Sequence, residues 1–89
     1  LKYEGIVYYF IENNFYFCGD SPYYDMWVDI EKFSYFSKAV LEMLSYLEFE
    51  PDIIHCHDWQ SSLVPVFLKA FYCADPFYRN IKTVMTIHN

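Results

Sequence analysis

The chain has 89 residues and a formal net charge of −6, which argues against a nucleic-acid backbone as its partner, because phosphate binding needs clustered Lys and Arg. Its three cysteines, Cys18, Cys56 and Cys73, have neither metal nor redox spacing, which is typical of reduced thiols in a cytoplasmic protein. No apolar run reaches the ~18 residues that a membrane helix needs, and no signal peptide is visible, so we expect a cytoplasmic protein without a membrane partner.

The ends and the aromatic content of the chain predict that it is part of a larger protein. It starts at Leu1 without Met and stops at Asn89, where an α/β protein would place a functional loop. Aromatic residues make up 24% of the chain, and such large rings need neighbours to cover them. A chain of this length is also marginally stable by itself. We therefore expect residues 1–89 to be a fragment of one domain.

The first half of the chain predicts a strand, a loop and a helix. Residues 6–11 are β-branched and aromatic, which is typical of a strand. Residues 15–25 contain the turn sequence Gly-Asp-Ser-Pro and are predicted to form a loop. From Asp29, a candidate N-cap, apolar residues recur at helical spacing as far as Leu47. The predicted buried stripe consists of Ile30, Phe33, Val40, Met43, Leu44 and Leu47.

The second half predicts two strands separated by a helix. Residues 52–56 contain consecutive isoleucines, which suit a parallel strand covered on both faces. A helix follows over 61–72, and Pro65 requires that it either begins near Ser61 or bends there. Its predicted buried residues are Leu63, Val64, Phe67, Leu68 and Phe71. With a last strand over 81–87, the order β-α-β-α-β predicts an α/β fold with a parallel sheet and right-handed crossovers.

Polar side chains crowd the exits of the last two strands. His57, Asp58 and Trp59 follow the first of them, and His88 and Asn89 follow the second. Burying any of these polar groups without a hydrogen-bond partner would cost free energy. Because ligands of parallel α/β sheets bind at the carboxyl ends of the strands, the sequence predicts a ligand site there.

Structural alternatives exist for each of these residues. His55 is best explained as a packed strand histidine bonded to backbone, and it is left out of the catalytic set. Asp58 could be only the N-cap of the next helix, and Trp59 could belong to the core. His57 could bind zinc together with His55 and Asp58, because i and i+2 on a strand share a face, but the predicted set contains no metal site. Tyr23 could be one aromatic among many.

Several motifs resemble those of bacterial glycogen synthases and plant starch synthases. They are Pro-Asp-Ile-Ile-His-Cys-His-Asp-Trp-Gln at 51–60, Leu-Val-Pro at 63–65 and Lys-Thr-Val-Met-Thr-Ile-His-Asn at 82–89. A lone His-Asp-Trp would be weak, but these three motifs in this order are specific. Upstream segments agree with the same family, so the resemblance extends over nearly the whole chain. These segments are 10–13, 16–17, 21–23, 31–33 and 36–39.

The resemblance implies a retaining glucosyltransferase of the GT-B architecture, of which residues 1–89 would be part of the Rossmann-like N-terminal domain. The parent enzyme would transfer glucose from ADP-glucose, its donor substrate, to the non-reducing end of an α-1,4-glucan, and it would need no cofactor. Position by position, the resemblance implies that Asp58 and His88 are catalytic and that Tyr23, Trp59 and Asn89 bind substrate. Both catalytic side chains would then face one sugar-sized space.

The chain also departs from the family pattern. The lysine-glycine-glycine loop is absent, and so are the arginine, lysine and glutamate that the family's C-terminal domain supplies to the donor. We therefore expect the isolated chain to have no transferase activity. Smaller departures are Gly19 where Arg is frequent, Tyr24 where Gly is common and Gln60 where His is frequent.

Two other functions stay open on the sequence. The chain could be a stand-alone, non-catalytic α/β module that binds glucan or another partner through the same strand ends. It could also come from a GT-B transferase that uses a different nucleotide sugar. In any of these cases a piece of a parallel sheet leaves a strand edge unpaired, so we expect the chain to self-associate.

Overall fold

The computed structural model describes residues 1–19 and 25–88, which combine helices with a small parallel sheet. In chain order the elements are β1 (Lys2–Tyr3), β2 (Ile6–Val7), α1 (Asn14–Phe17), α2 (Met26–Tyr46), β3 (Ile53–His57), a 3-10 helix (Trp59–Ser61), α3 (Leu63–Phe71) and β4 (Lys82–Thr86). β1 and β2 pair in antiparallel fashion, and β3 and β4 pair in parallel. None of the helices in the described part of the chain has the length and apolar character needed to cross a membrane.

The N-terminal segment forms a hairpin of two strands, each two residues long, instead of the strand predicted over 6–11. β2 pairs only with β1, and its register places Tyr3 opposite Ile6. The turn between them uses Glu4 and Gly5 at positive φ, +52° and +82°, which is the backbone of a tight hairpin turn. The strand prediction is wrong beyond Val7, because β propensity needs a neighbouring strand to pair with, and β1 is only two residues long.

The loop predicted over 15–25 contains one turn of helix at its start. The side-chain oxygen of Asn13 accepts the backbone N–H groups of Phe15 at 2.9 Å and Tyr16 at 3.1 Å, which caps α1. The loop prediction is therefore wrong for residues 15–17, where a cap stabilises a helical turn that sequence periodicity does not reveal. Residues 20–24 lie outside the described part of the chain.

The N-cap of α2 lies four residues before the predicted one. The carboxylate of Asp25 accepts the backbone N–H of Val28 at 2.9 Å, so Asp25 is the N-cap and Asp29 is not. Asp29 lies instead in the first turn, where its negative charge interacts favourably with the positive end of the helix dipole. Both residues have a carboxylate that can cap, and the upstream one does so because the helical pattern continues back to Met26.

Only part of the predicted stripe of α2 is buried. Leu44 is in the core, whereas Ile30 and Leu47 are exposed, and the fully buried Leu41 lies outside the predicted stripe. α2 packs mainly against α3 and the 3-10 helix, and near its start Tyr35 stacks on Tyr16 of α1. A helix with one neighbouring layer buries a narrower face than its periodicity offers.

The β3–α3–β4 unit has the predicted order and parallel pairing. Its register runs from Ile53 opposite Lys82 to His57 opposite Thr86. The helix predicted over 61–72 starts at Leu63 after the 3-10 helix, so Pro65 is its third residue. Backbone N–H groups in the first turn of a helix have no acceptor within the helix, so a proline at this position removes no hydrogen bond. Of the two possibilities left open by Pro65, the helix therefore begins close to it and does not bend.

The core lies between α2, α3 and one face of the parallel sheet. Tyr78 closes it by donating its hydroxyl to the carbonyl of Leu41 at 2.6 Å. The opposite sheet face is uncovered, and Ile53 and Val84 are 58% and 47% exposed. The expectation that the strand at 52–56 is covered on both faces is therefore wrong for the described residues. The buried residues of the core are Leu41, Leu44, Cys56, Val64, Leu68, Tyr72, Tyr78 and Ile81.

Candidate functional site

β3 and β4 deliver their last residues to one edge of the parallel sheet. His57 lies beside Thr86, and the backbone N–H of Asp58 donates to the carbonyl of Thr86 at 2.9 Å. The ladder thus continues one residue past β3. Because the carboxyl ends of parallel strands share an edge, this brings Asp58 to the residues that follow β4.

Asp58 and His88 are in direct contact at this edge. One carboxylate oxygen of Asp58, Oδ1, accepts the backbone N–H of His88 at 2.6 Å. The predicted adjacency of the two residues is therefore present, while their catalytic roles stay predictions. Asp58 makes no side-chain cap bond to the 3-10 helix that follows it, so the alternative in which it serves only as an N-cap is wrong.

Asp58 also has an unusual backbone conformation. Its φ is +63° and its ψ is −179°, a region that almost only glycine occupies. A non-glycine residue there costs on the order of 1–3 kcal/mol, and such strain is concentrated at functional sites. The conformation is held by the bond to Thr86 and by the backbone N–H of Ser61, which donates to the Asp58 carbonyl at 3.3 Å.

Three histidine rings form a cluster on the exposed side of the same edge. Nδ1 of His57 lies 3.2 Å from Nε2 of His88, and the two rings stack with centroids 5.4 Å apart. His55 stands beside His57 with ring centroids 4.2 Å apart. In the bond between His57 and His88 one nitrogen donates and the other accepts, so the pair shares one proton between them. Protonation of both facing nitrogens would break this bond.

His55 is not the packed, backbone-bonded histidine that the sequence predicts. Its ring is exposed, and its Nε2 lies 2.7 Å from the hydroxyl of Thr86. The prediction is wrong because His55 lies on the uncovered face of the sheet, together with Ile53 and His57. Its bond to Thr86 ties the middle of β3 to the end of β4.

The histidine cluster is not arranged as a zinc site. Within residues 1–19 and 25–88, no three side chains of His, Cys, Asp or Glu are placed to hold a metal ion together. His55 uses Nε2 for Thr86, and His57 uses Nδ1 for His88. The zinc alternative for His55, His57 and Asp58 therefore has no support in the geometry.

Trp59 is half exposed at the start of the 3-10 helix. Its ring meets Phe33 of α2 edge to face, with centroids 5.1 Å apart and planes at 80°. Its exposed fraction is 51%, so contact with α2 covers only part of the indole. The remaining surface can pack against a ligand. Tyr23 and Asn89, the other two predicted substrate contacts, lie outside the described residues.

Ser61 is a site residue that the sequence analysis missed. Its hydroxyl accepts the backbone N–H of His57 at 2.9 Å and donates to the carbonyl of the same residue at 2.8 Å. These two hydrogen bonds to His57 fix the backbone just before Asp58. A serine four residues after the last strand histidine was the available signal, but the sequence does not show that the chain turns back between them.

Cys56 separates the site from the core and takes no part in its chemistry. The thiol is buried under the sheet, and burial raises its pKa, an effect that a hydrogen bond with Ser61 partly opposes. The thiol is therefore protonated at neutral pH and unreactive. The chemistry available at the edge comes from one carboxylate, three imidazoles and one indole face. Such a set can bind and orient sugar hydroxyls and can move a proton.

Comparison with known proteins identifies the family of the chain. The family model described as starch synthase catalytic domain matches residues 1–89. The chain is 61% identical over 88 residues to a glycogen synthase of Lachnoclostridium phytofermentans, covering 99% of this chain and 18% of that protein. It is 60% identical over 90 residues to a glycogen synthase of Desulfitobacterium hafniense, covering 100% of this chain and 19% of that protein. It therefore spans about a fifth of the length of these curated relatives. No solved structure matches the chain.

Proposed function

The chain belongs to the starch synthase catalytic domain family, and on that premise we propose that it carries the acceptor side of a retaining glucosyltransferase site. The reaction is transfer of glucose from ADP-glucose to the non-reducing end of an α-1,4-glucan. One observation carries the proposal: the carboxylate of Asp58 contacts His88 where two parallel strands end. The relatives named glycogen synthase support the same reaction.

The architecture we propose for the parent protein is GT-B, with residues 1–89 inside its Rossmann-like N-terminal domain. The support is the β3–α3–β4 unit, in which two parallel strands are connected through a helix. In folds built from such units, ligands bind beyond the carboxyl ends of the strands. The Asp58–His88 contact lies at that end of the sheet.

Asp58 has the chemistry needed to stabilise a cationic sugar. Transfer of a glucosyl group passes through an oxocarbenium-like state, and a nearby carboxylate lowers its free energy. Oδ1 of Asp58 receives the His88 N–H, which fixes the direction of the carboxylate, and the second oxygen can accept a sugar hydroxyl. The strained backbone of Asp58 is also typical of a residue whose position matters for function.

His88 serves as the hydrogen-bond partner of the transferred glucose, and His57 positions its ring. The bond between His57 Nδ1 and His88 Nε2 orients the ring of His88 and couples its tautomer to that of His57. Ser61 in turn holds the backbone of His57. Ser61 therefore positions His57, and His57 in turn positions the ring of His88.

The acceptor glucan lies against the exposed face of Trp59. An indole face packs well on a pyranose ring, and the contact with Phe33 limits the indole to one orientation. By resemblance, Tyr23 and Asn89 bind the same acceptor. The reaction needs no cofactor, because ADP-glucose supplies both the sugar and the leaving group.

The test places the chain in a complete enzyme. We would replace the matching segment of the L. phytofermentans glycogen synthase with these 89 residues and measure transfer of labelled glucose from ADP-glucose to glycogen. Asp58→Asn removes the carboxylate charge and should lower kcat by about 10²- to 10⁴-fold. Asp52→Asn, an exposed carboxylate at the other end of β3, is the matched control and should leave activity unchanged.

A second variant tests the positioning role of His57. His57→Phe keeps a ring beside His88 but removes the nitrogen that bonds it. We expect a smaller loss of kcat than for Asp58→Asn and an altered pH dependence of kcat, because the protonation of His88 is no longer coupled to that of His57. Full activity of Asp58→Asn in a folded chimera would contradict the proposed function. An unchanged pH profile of His57→Phe would contradict the positioning role alone.

The 89 residues alone should not transfer glucose. The resemblance assigns the contacts to the donor's diphosphate to basic residues that these 89 residues do not contain. Incubation of the chain with labelled ADP-glucose and glycogen is the corresponding assay, and incorporation of label above a no-protein blank would contradict this expectation.

A further inference from the structure

Five of the six basic residues of the chain fall into two groups with different surroundings. The chain has only six Lys and Arg residues, against a net charge of −6. Both lysines of α2 have acidic partners, at 3.9 Å for Lys32 and 3.3 Å for Lys38. Lys69, Arg79 and Lys82 make no ion pair with any residue of the described ranges, and all three line the same pocket. Half of the positive charge is thus gathered at one place.

This basic pocket lies between the end of α3 and the start of β4. Its volume is about 510 Å³, which is within the range of small-ligand sites. Leu68, Tyr78 and Ile81 line it and are buried in the core, whereas the three cationic residues are exposed. Among the residues that the structure describes, no Asp or Glu lines the pocket. The pocket therefore combines an apolar floor with a cationic rim.

The floor of the basic pocket is held by the core. Tyr78 donates its hydroxyl to the carbonyl of Leu41 at 2.6 Å, and the N–H of Ile81 donates to the carbonyl of Tyr78 at 3.1 Å. The N–H of Lys82 donates to the carbonyl of Asp52 at 3.0 Å. Since these bonds exist without a ligand, binding would require little ordering of the backbone.

The basic pocket is separate from the Asp58–His88 contact. Lys82 is the first residue of β4 and Thr86 is the last, and Thr86 is the residue that bonds Asp58. Four strand residues at ~3.3 Å each separate the two ends by about 13 Å. Neither site uses a residue of the other, so a failure of one proposal leaves the other standing.

We propose that the basic pocket binds a small organic phosphate. Guanidinium and ammonium groups are the standard protein partners of phosphate oxygens, and here Arg79 and two lysines line one pocket. The apolar floor suits the body of such a molecule. An extended polyanion is disfavoured, because the rest of this acidic chain would repel it. The chemistry therefore selects a compact anion.

Each cation also has a local role, but local roles do not account for the cluster. Lys69 lies in the last turn of α3, where a positive charge stabilises the helix C-terminus. Lys82 opens a strand at the edge of the sheet, where lysine discourages further pairing. Neither role requires the two residues to share a pocket with Arg79 and without any carboxylate.

The experiment is a titration of the 89-residue chain followed by ¹H–¹⁵N NMR. Ribose 5-phosphate is the probe, and ribose, which lacks the phosphate, is the ligand control. We expect millimolar or tighter binding, with the largest shifts at the amides of Arg79, Ile81 and Thr83. Arg79→Gln should weaken binding about tenfold, the typical effect of losing charged hydrogen bonds.

Lys2→Gln is the matched control variant, because it removes one exposed positive charge at the hairpin, away from the basic pocket. It should leave the dissociation constant unchanged. Lys69→Gln provides a second variant in case Arg79→Gln unfolds the loop. Equal weakening by Lys2→Gln would show that net charge alone attracts the probe and would overturn the proposal. Shifts with ribose alone, or none with ribose 5-phosphate at millimolar concentration, would overturn it as well.

Discussion

Residues 1–19 and residues 53–88 are both rich in β-branched and aromatic side chains, but the two regions differ in how much they bury. No residue of 1–19 is buried, and its strands are two residues long. Residues 53–88 contribute six of the eight apolar side chains that are buried within 1–19 and 25–88, and they form a parallel pair of five-residue strands. The difference teaches that composition sets the tendency to form strands, while a strand of useful length also needs a partner and a covering helix.

The candidate site follows the same division. Asp58 and His88 depend on β3, β4 and the bonds between them, all of which lie in the packed region. The N-terminal segment contributes no described contact to these two residues. Changes in the packed region should therefore affect stability far more than changes of similar size in residues 1–19.

The largest effect is expected for a core truncation. Leu41 has an exposed fraction of 0%, so Leu41→Ala leaves a cavity and should lower the free energy of unfolding by about 2–5 kcal/mol. Phe15→Ala in α1 removes more atoms but from a residue that is 83% exposed, and should change it by about 0.5 kcal/mol or less. Urea denaturation followed by tryptophan fluorescence measures both. Similar losses would remove the contrast between the core, to which Leu41 belongs, and residues 1–19.

A smaller effect is expected for the network that joins α2 to the end of α3. The ammonium group of Lys38 donates to the hydroxyl of Tyr72 at 2.7 Å, and that hydroxyl donates to the carboxylate of Glu42 at 2.6 Å. Tyr72→Phe removes both bonds and should lower the free energy of unfolding by about 1 kcal/mol. Tyr46→Phe, an exposed tyrosine of α2, is the matched control and should have no effect.

Tyr72→Phe should also change the pH dependence of the free energy of unfolding. The bond from Tyr72, and after it the bond from Lys38, lowers the pKa of Glu42 below its ordinary value of 4.5. A lowered folded-state pKa contributes stability that is present above pH 4.5 and is lost as the pH falls through the folded value. Tyr72→Phe should therefore reduce the loss of stability in acid, measured as urea midpoints against pH. An identical acid dependence in both proteins would rule out this linkage.

The smallest effect concerns self-association, which we propose occurs between two copies of this chain. The uncovered sheet face contains Ile53 and Val84, and the outer edges of β3 and β4 pair with no other strand in the described ranges. Val84→Lys places a charge on that face and should weaken association. Val66→Lys, at an equally exposed position of α3, is the control. Sedimentation velocity compares them, and a compact wild-type monomer at high concentration would contradict the proposal.

The fold of residues 52–88 could be predicted because each of its signals is local. Consecutive isoleucines, the position of Pro65 and the polar strand exits each indicate an element or its end without reference to distant residues. The predicted cap at Asp29 and the strand over 6–11 failed for a different reason. Asp25 offers the same capping oxygen as Asp29, and residues 9–11 have the composition of a strand but pair with no strand of the described residues.

The candidate site could be predicted in outline but not in its bonds. Parallel strands with polar exits imply that Asp58 and His88 meet, and they do. The hydrogen bond between His57 and His88 depends on the orientation of the two rings. The two hydrogen bonds between Ser61 and the backbone of His57 depend on a turn in the chain. Neither property is written in residue types or spacing.

The amino-acid sequence by itself determined the family, the β-α-β order of the second half and the two residues that meet at the strand ends. Only the tertiary structure decided which face of the sheet is covered, how Asp58 is held at positive φ, and that Lys69, Arg79 and Lys82 share one pocket. The physical reason is the range of the interactions. Hydrophobic period and capping act over a few residues, whereas burial, strain and charge clustering depend on which distant segments pack together.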